Sequence, residues 1–229
     1  VTYSLQNENA VAYASNIRMM QGGYEYDVEI GEERIEKIRL NMGGMHNVEN
    51  TVAAITVASS LGIEPDRIRA AVESFRGVKR RFEYLIKNER LVFIDDYAHH
   101  PEELKALITG AKTLFPQRKC TVIFQPHLYS RTRDLADGFA SSLDLADEVV
   151  LLPIYPAREL PLEGVDSNMI LDQMKGDYKS VMDKQELLNW IASDFAQTVN
   201  RDFGEILITA GAGDIDMLLE NIKESLKNV

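Results

Sequence analysis

The clearest indication of the fold comes from one stretch of the sequence, Leu91-Val92-Phe93-Ile94-Asp95-Asp96-Tyr97-Ala98-His99-His100-Pro101. Its first four residues form an apolar run that is typical of a buried strand, and residues 102–114 have the pattern of a helix. Pro101 suits the first turn of that helix, because proline fixes φ and lacks an N–H that the first turn would leave unpaired. Two carboxylates, a phenol and two imidazoles therefore lie where a strand gives way to a helix.

This edge of an open α/β sheet is where ligands bind. Taken one at a time, the polar residues of the stretch are compatible with a turn or with a solvated loop. Five of them together at one strand end favour a functional site.

Residues 78–229 alternate between strand-like runs and helical patterns. The runs cover 91–95, 120–125, 148–152, 179–182 and 205–209, and the helical patterns cover 102–114, 132–143, 166–175, 184–198 and 214–226. Strands that alternate with helices predict a parallel sheet covered on both faces, with right-handed connections. We therefore expect an α/β domain with a doubly wound, mostly parallel sheet.

Residues 1–77 have a different pattern. The runs 2–5, 24–30 and 34–40 alternate in the antiparallel style, with a hairpin turn at 30–33, and helices are predicted at 47–61 and 65–75. Three strands and two helices are too few to enclose a good core. We interpret this segment as the end of a larger α/β domain, joined through a linker at 77–79 to the domain formed by 78–229.

Composition limits the possible functions. The chain has 229 residues, 45% of them hydrophobic, and a net charge of −11, which argues against a nucleic-acid partner because that affinity depends on Lys and Arg. The single Cys120 lies in an apolar run and predicts a buried, reduced thiol, which suits a cytoplasmic protein. We see no membrane span and no signal peptide. The chain begins with Val1, which suggests a cut from something longer.

The segment 43–50 precedes an apolar helix and carries two carboxamides. Asn47 and Asn50 are three residues apart and share a helix face. A carboxamide offers both a donor and an acceptor and can pair with a purine edge. Simple helix capping by Asn47 is the alternative.

Two clusters of cations could hold anions. Residues 79–81 place one lysine and two arginines beside the domain junction, where guanidinium groups could grip phosphate oxygens, although a solvated basic patch is the common alternative. Arg131 and Arg133 follow the second strand of the alternating domain. Either could hold a carboxylate or a phosphate, and either could be a structural ion-pair partner, which is the safer expectation for Arg133.

Four histidines and many carboxylates raise the question of a metal enzyme. The spacings match no familiar ligand pattern such as His-Glu-x-x-His, and we assign no metal ligand.

These motifs, in this order, resemble the Mur ligases of peptidoglycan synthesis. The segment Gly44-x-His46-Asn47-x-x-Asn50 looks like the family's adenine-side motif, and Gly77-x-x-x-Arg81-x-Glu83 looks like its linker pattern. The run 95–101 looks like the hallmark of the muramate ligases, and residues 125–133 and 155–157 extend the match. The resemblance covers essentially the whole chain.

The resemblance implies a role for each matching residue. His46, Asn47 and Asn50 would approach the adenine of ATP, Asp96 its ribose, and Arg81 its ribose or terminal phosphate. Tyr97, His99 and Arg131 would line the pocket for the amino acid and the acyl phosphate. Many members of the family have arginine at the position of Leu128, which leaves Arg131 as the better candidate to hold the incoming amino acid.

The implied reaction is ATP- and Mg²⁺-dependent amide formation between UDP-N-acetylmuramate and L-alanine through an acyl phosphate. The family has three domains, and its Gly-x-x-Gly-Lys-[Thr/Ser] phosphate loop does not occur here. We therefore expect residues 1–77 to be the end of the central ATP-binding domain, residues 78–229 to be the Rossmann-like C-terminal domain, and the chain alone to be inactive without the missing N-terminal domains. A recycling ligase that attaches a tripeptide to the same sugar, and a non-catalytic nucleotide-binding module, are the alternatives.

Overall fold

The computed structural model describes residues 1–5 and 7–229. Their contacts separate two compact units. The first comprises Val1–Val78 and Thr113–Phe115, and the second comprises Lys79–Lys112 and Pro116–Val229. Each unit is described by itself.

The first unit has a four-stranded sheet with two helices. Strands β1 (Tyr3–Ser4), β2 (Ala12–Met20), β3 (Gly23–Ile30) and β4 (Glu33–Leu40) follow in chain order, and helices α1 (Met45–Ser60) and α2 (Pro65–Ser74) come after them. The β3–β4 hairpin turns at Gly31, as the sequence predicts, with a φ of 59° that glycine adopts without strain. Its core is made of apolar residues from β3, β4 and α1, including Val28, Ile35, Ile38, Val48 and Ile55.

Strand β2 was missed by the sequence analysis, and the pairing of β1 differs from the expectation. A bulge between Ser15 and Arg18, with Asn16 at a φ of 51°, breaks the two-residue alternation that marks a strand. Strand β1 pairs with β2 in parallel, whereas the sequence suggested antiparallel pairing. Asp27 on β3 faces the bulge and accepts a hydrogen bond from Asn16 Nδ2 at 2.8 Å.

The second unit is built on a six-stranded sheet. Its strands are β5 (Glu83–Lys87), β6 (Leu91–Asp96), β7 (Lys119–Phe124), β8 (Glu148–Leu151), β9 (Lys179–Val181) and β10 (Glu205–Ala210). They lie in the order β5-β6-β10-β7-β8-β9. All neighbouring pairs are parallel except β5–β6, since β5 is an antiparallel edge strand that the sequence analysis did not identify.

The helices of this unit begin and end close to the predicted positions, with three exceptions. They are α3 (Pro101–Leu114), α4 (Tyr129–Leu143), α5 (Asn168–Leu171), α6 (Lys184–Trp190), α7 (Ala196–Thr198) and α8 (Leu219–Ser225). The segment predicted as a helix over 166–175 contains only the single turn α5. A π-helical turn at Ile191–Phe195 joins α6 to α7, and a 3₁₀ turn at Asp214–Leu218 precedes α8.

Adjacent residues of the central strands pack on opposite faces of the sheet. Ile123 on β7 belongs to a buried cluster with Leu187 and Ile191, whereas the ring of Phe124 lies 5.3 Å from the ring of Phe139 on α4. Because strand side chains alternate between faces, both sides of the sheet are covered. The predicted fold class, α/β with a mostly parallel sheet, is confirmed. Within the described part of the chain, every helix is too short or too polar to cross a membrane.

The conformation of Gly204, in the loop before β10, leads to a prediction about the free energy of unfolding. Gly204 has a φ of +73°, and a Cβ there would lie 2.7 Å from the carbonyl oxygen of Glu89 and 2.8 Å from that of Arg90. We expect Gly204→Ala to lower the free energy of unfolding by about 3 kcal/mol, since this clash adds to the strain of a left-handed backbone.

Gly164→Ala is the matched control. Gly164 has a φ of +74°, and beyond its chain neighbours no atom of the described residues lies within 4 Å of its Cβ position, so alanine there should cost only about 1 kcal/mol of backbone strain. Urea denaturation of both variants measures the difference, and equal losses would contradict the predicted clash.

Candidate active site

The ends of three parallel strands bring the sequence motifs of the second unit to one edge. Strand β10 lies between β6 and β7, and Ala210 is in register with Asp96 on one side and with Phe124 on the other. Because parallel strands in register end at the same level, the segments that follow Asp96, Phe124 and Ala210 all begin at this edge.

The two adjacent aspartates at the end of β6 have different environments. Asp95 is fully buried, and its carboxylate accepts hydrogen bonds from Thr209 Oγ1 at 2.7 Å and from Arg80 Nε at 3.1 Å. Burial raises the pKa of Asp95, and the Thr209 and Arg80 contacts oppose that rise. Asp96 is half-buried and accepts hydrogen bonds from the backbone N–H groups of Phe82 at 2.7 Å and Ala98 at 2.8 Å. Asp95 therefore belongs to the interior, and Asp96 is an oriented carboxylate at the edge.

A row of four rings follows these aspartates. The ring of Tyr97 lies 5.4 Å from that of His99, which lies 6.3 Å from that of His127. His127 is stacked with Tyr155 at 5.8 Å. The row joins the segment after β6 to the segments after β7 and β8, so Tyr97 and His99 are brought close to the Arg131 region.

His99 is held by the first turn of α3. Its Nδ1 lies 3.0 Å from the carbonyl oxygen of Tyr97 and 3.3 Å from Oε2 of Glu103, and the same Glu103 oxygen accepts the backbone N–H of His99 at 2.9 Å. A carbonyl oxygen only accepts hydrogen bonds, so Nδ1 carries a proton. In the neutral ring, Nε2 is then left as the acceptor.

Arg131 lies beside His127. Its Nη1 is 3.3 Å from Nδ1 of His127. A guanidinium only donates, so His127 accepts at Nδ1 and must be uncharged there. Burial is the main cause that lowers the pKa of His127, and the positive charges of Arg131 and His99 lower it further.

Arg131 and Arg133 have opposite environments. Arg133 is exposed, and its Nε pairs with the neighbouring Asp134 at 2.8 Å, which agrees with its expected structural role. Arg131 is half-buried, and no carboxylate of the described residues lies within ion-pair distance of its guanidinium. Its charge can therefore bind a carboxylate or phosphate from outside this unit.

The turn that presents Arg131 is held by its backbone. Leu128 has a φ of +73°, and its N–H donates to the carbonyl oxygen of Tyr155 at 3.0 Å. Glu159 accepts two hydrogen bonds from Ser130, one from Oγ at 2.5 Å and one from the backbone N–H at 2.9 Å. These bonds lower the pKa of Glu159. The negative charge of Glu159 stabilises the first turn of α4, where helix N–H groups are unpaired.

The basic residues near the start of this unit are divided between interior and solvent. Arg81, which the sequence singled out, is exposed and makes no hydrogen bond or ion pair with any described residue. Its neighbour Arg80 instead contacts Asp95, and its guanidinium lies 5.1 Å from the centre of the Tyr97 ring. Two adjacent arginines carry no local signal of which one turns inward, so the sequence alone does not distinguish them.

Asp214 makes two polar contacts with residues distant in sequence. Its carboxylate pairs with Lys184 Nζ at 2.6 Å and accepts a hydrogen bond from Gln125 Nε2 at 2.9 Å. Gln125 Oε1 in turn accepts the backbone N–H of Ile215 at 2.9 Å. Asp214 therefore fixes the segment after β10 to the end of β7.

The three nucleotide candidates of the first unit lie at the start of α1. Asn47 Nδ2 donates to the carbonyl oxygen of Gly43 at 2.7 Å, and His46 lies against Gly44, whose φ is +87°. Asn50 is exposed and has no hydrogen-bond partner among the described residues. The amide of Asn50 and the ring of His46 are thus available to a ligand, whereas one N–H of the Asn47 amide is already used locally.

The chemistry of the described residues offers no metal centre. Across residues 1–5 and 7–229, no group of three or more His, Cys, Asp or Glu residues is arranged to hold a metal ion. Cys120 is fully buried, as the sequence predicts, and burial raises the pKa of its thiol to about 12.

Comparison with known families identifies the second unit. Residues 80–213 match the family described as "Mur ligase, glutamate ligase domain", and residues 1–58 match "Mur ligase middle domain". The chain belongs to the Mur ligase family. The motifs at the strand ends lie inside the longer of these two matches, as the resemblance implied.

Several curated relatives of this Mur ligase chain carry the same name, UDP-N-acetylmuramate–L-alanine ligase. The one from Flavobacterium johnsoniae is 45% identical over 220 residues, which cover 96% of this chain and 47% of the relative. The one from Cytophaga hutchinsonii is 46% identical over 208 residues, which cover 91% of this chain and 43% of the relative. The chain therefore spans about half the length of the relatives it matches.

Solved structures of the family have the same fold. UDP-N-acetylmuramate-alanine ligase from Thermotoga maritima is 28% identical with a TM-score of 0.76, and the match covers 99% of this chain and 48% of that one. MurF ligase from the same organism, solved in complex with ADP, is 19% identical with a TM-score of 0.66 over 96% of this chain and 48% of that one. At that identity, the second likeness supports the fold alone.

The contact between His127 and Arg131 leads to a prediction about the pKa of His127. The pKa of His127 should lie below its ordinary value of 6.5, and Arg131→Met should raise it, because one nearby positive charge is removed. The rise should be incomplete, since burial is the larger cause. NMR titration of the ring Cε1–H signal measures both values.

Arg118→Met is the control, because Arg118 bonds the carbonyl oxygens of Asn88 and Glu89 far along the sheet from His127. A His127 pKa that responds equally to both variants would refute the assigned contact.

The lowered pKa of His127 also predicts how the free energy of unfolding depends on pH. Because the folded protein binds a proton at His127 less readily than the unfolded chain, neutral His127 contributes stability above pH 6.5. That contribution is lost as the pH falls through the folded-state pKa.

Proposed function

We propose that this chain is part of an ATP-dependent ligase that joins L-alanine to UDP-N-acetylmuramate in peptidoglycan synthesis. The observation that carries the proposal is the half-buried guanidinium of Arg131, which lacks a carboxylate partner among the described residues and lies against His127. The names of the relatives at 45% and 46% identity support the same substrates.

The amino acid is assigned to Arg131 because its carboxylate needs a fixed cation. Two parallel N–H···O bonds from a guanidinium hold a carboxylate in one orientation. Neutralising that carboxylate leaves the amine as the reactive end. The uncharged His127 avoids a second positive charge beside the amine, and Tyr97 and His99 continue the wall of the pocket through their ring contacts.

The nucleotide is assigned to residues of both units, each argued from its own surroundings. In the first unit, His46 and Asn50 are exposed near the start of α1, next to Asn47, and they suit an adenine edge. In the second unit, Asp96 is an oriented acceptor that suits ribose hydroxyls, and Arg81 is an exposed cation that suits phosphate. When bound, ATP supplies the phosphoryl group that activates the sugar carboxylate for attack.

Magnesium belongs to the proposal through ATP alone. The described residues hold no metal-binding cluster, so we derive no step through the ion on this chain. Residues 1–77 are proposed as the end of the central ATP-binding domain and residues 78–229 as the C-terminal ligase domain, in a protein of the cytoplasm whose N-terminal domains supply the phosphate loop and the sugar site.

Substitution of Arg131 tests the amino-acid assignment. In the full-length protein, Arg131→Ala should raise the alanine KM by at least ~30-fold, which corresponds to about 2 kcal/mol of lost charge pairing. The ATP KM should change far less. Steady-state kinetics with alanine and ATP varied separately measure the two effects.

Arg133→Ala is the control on the same helix, because Arg133 is exposed and pairs with the neighbouring Asp134. Equal rises in both KM values for Arg131→Ala would refute the role of Arg131. Preference for a tripeptide over alanine would instead identify the recycling ligase.

The isolated chain provides a second test. It should fold, as judged by a cooperative denaturation transition, but should release no phosphate with ATP, alanine and UDP-N-acetylmuramate, because it has no phosphate loop of the family's pattern. Alanine-dependent turnover by residues 1–229 alone would contradict the proposal that other domains of the protein supply the phosphate loop and the sugar site.

A further inference from the structure

The segment from Arg80 to Phe82 has an unusual backbone. Arg80 has a φ of +58° and Phe82 a φ of +50°. Residues other than glycine rarely adopt this left-handed backbone conformation, and where they do, contacts with surrounding residues stabilise it. Some interaction must therefore stabilise this conformation.

Backbone hydrogen bonds fasten the segment to the end of β6. The N–H of Phe82 donates to Asp96 Oδ2 at 2.7 Å, and the N–H of Tyr97 donates to the carbonyl oxygen of Arg80 at 2.8 Å. The N–H of Arg80 donates to Oε2 of Glu83 at 2.8 Å. The orientation of the Asp96 carboxylate and the conformation of the segment thus depend on each other.

The side chain of Arg80 extends this attachment into the interior. Nε donates to the fully buried Asp95 at 3.1 Å, Nη2 donates to the carbonyl oxygen of Gly211 at 2.5 Å, and Nη1 lies 3.6 Å from Asp216. The guanidinium carbon lies 5.1 Å from the centre of the Tyr97 ring. Nε and Nη2 each donate one hydrogen bond, Nη1 lies within ion-pair distance of Asp216, and the side chain is only 17% exposed, so the guanidinium is directed mainly at groups of this unit.

We propose that Arg80 is a positioning residue, whose pairing with Asp95 and Gly211 holds the left-handed segment so that Arg81 projects into solvent and Asp96 keeps its orientation. The inference rests on the proposed function, since Arg81 and Asp96 are the groups of this unit assigned to the nucleotide. A merely structural arginine would affect stability, whereas a positioning residue also affects ATP affinity.

Three variants of the full-length protein test this role. Arg80→Met removes the guanidinium, Arg80→Lys keeps the charge but loses the planar fork, and Asp95→Asn leaves Arg80 in place without its charged partner. The control is Arg118→Met, because Arg118 also bonds two carbonyl oxygens, those of Asn88 and Glu89, before the start of β6. All are compared with wild type by thermal denaturation, ATP calorimetry and trypsin digestion.

We expect Arg80→Met and Asp95→Asn each to weaken ATP binding by about tenfold or more, with Arg80→Lys intermediate and Arg118→Met within about twofold of wild type. Trypsin cleavage after Arg81 should accelerate by about tenfold or more in the first two, because the released segment opens more often. Since both residues act through one pair, the double variant should be no worse than the worse single variant.

Unchanged ATP affinity and unchanged cleavage after Arg81 in both Arg80 variants would overturn the proposal. Weakened ATP binding by Arg80→Met with normal binding by Asp95→Asn would also overturn it, because Arg80 would then contact the ligand directly. If Arg80→Met does not fold, Arg80→Lys and Asp95→Asn decide by the same two measurements. Failure of the proposed function has a separate signature: no alanine-dependent phosphate release by wild type, whatever trypsin and ATP calorimetry show for Arg80.

Discussion

The in-register pairing of β10 between β6 and β7 is the constraint on which the candidate site depends. It places Ala210 opposite both Asp96 and Phe124, so that three chain segments far apart in sequence leave the sheet at one level. Strand β8 joins the same edge through the bridge between His127 and Tyr155. A sheet of this kind fixes the backbone at the edge, and short-range contacts then orient the side chains.

Charge at this edge is arranged in two layers. In the interior, Asp95 and Arg80 neutralise each other, with Thr209 completing the hydrogen bonds, so a costly buried charge is paired. Further out, the half-buried Arg131 lies beside the neutral acceptor of His127, and the exposed Arg81 has no partner among the described residues. The inner charges therefore serve the structure, and the outer charges are those that a charged substrate could use.

Much of this arrangement could be predicted from the sequence, and the failures have physical causes. Among the parallel strands of the second unit, β6, β7, β8 and β10 were predicted because strands buried on both faces read as apolar runs, whereas the predicted β9 is only half-buried. The edge strand β5 and the bulged strand β2 were missed, since the first has no such run and the second loses its alternation at Asn16. The 3₁₀ turn and the π-helical turn are each five residues long, which is too short to change the apolar spacing that predicts a helix.

The fold class, the position of the motifs at strand ends and the family could be predicted from the sequence alone, because apolar patterning and motif order are local properties of the chain. Three-dimensional contacts were needed to show which of two adjacent aspartates is buried, which of two adjacent arginines turns inward, and that His127 is neutral beside Arg131. Those choices depend on the register of β10 with β6 and on left-handed backbone at Arg80 and Leu128, and each is set by contacts between residues distant in sequence.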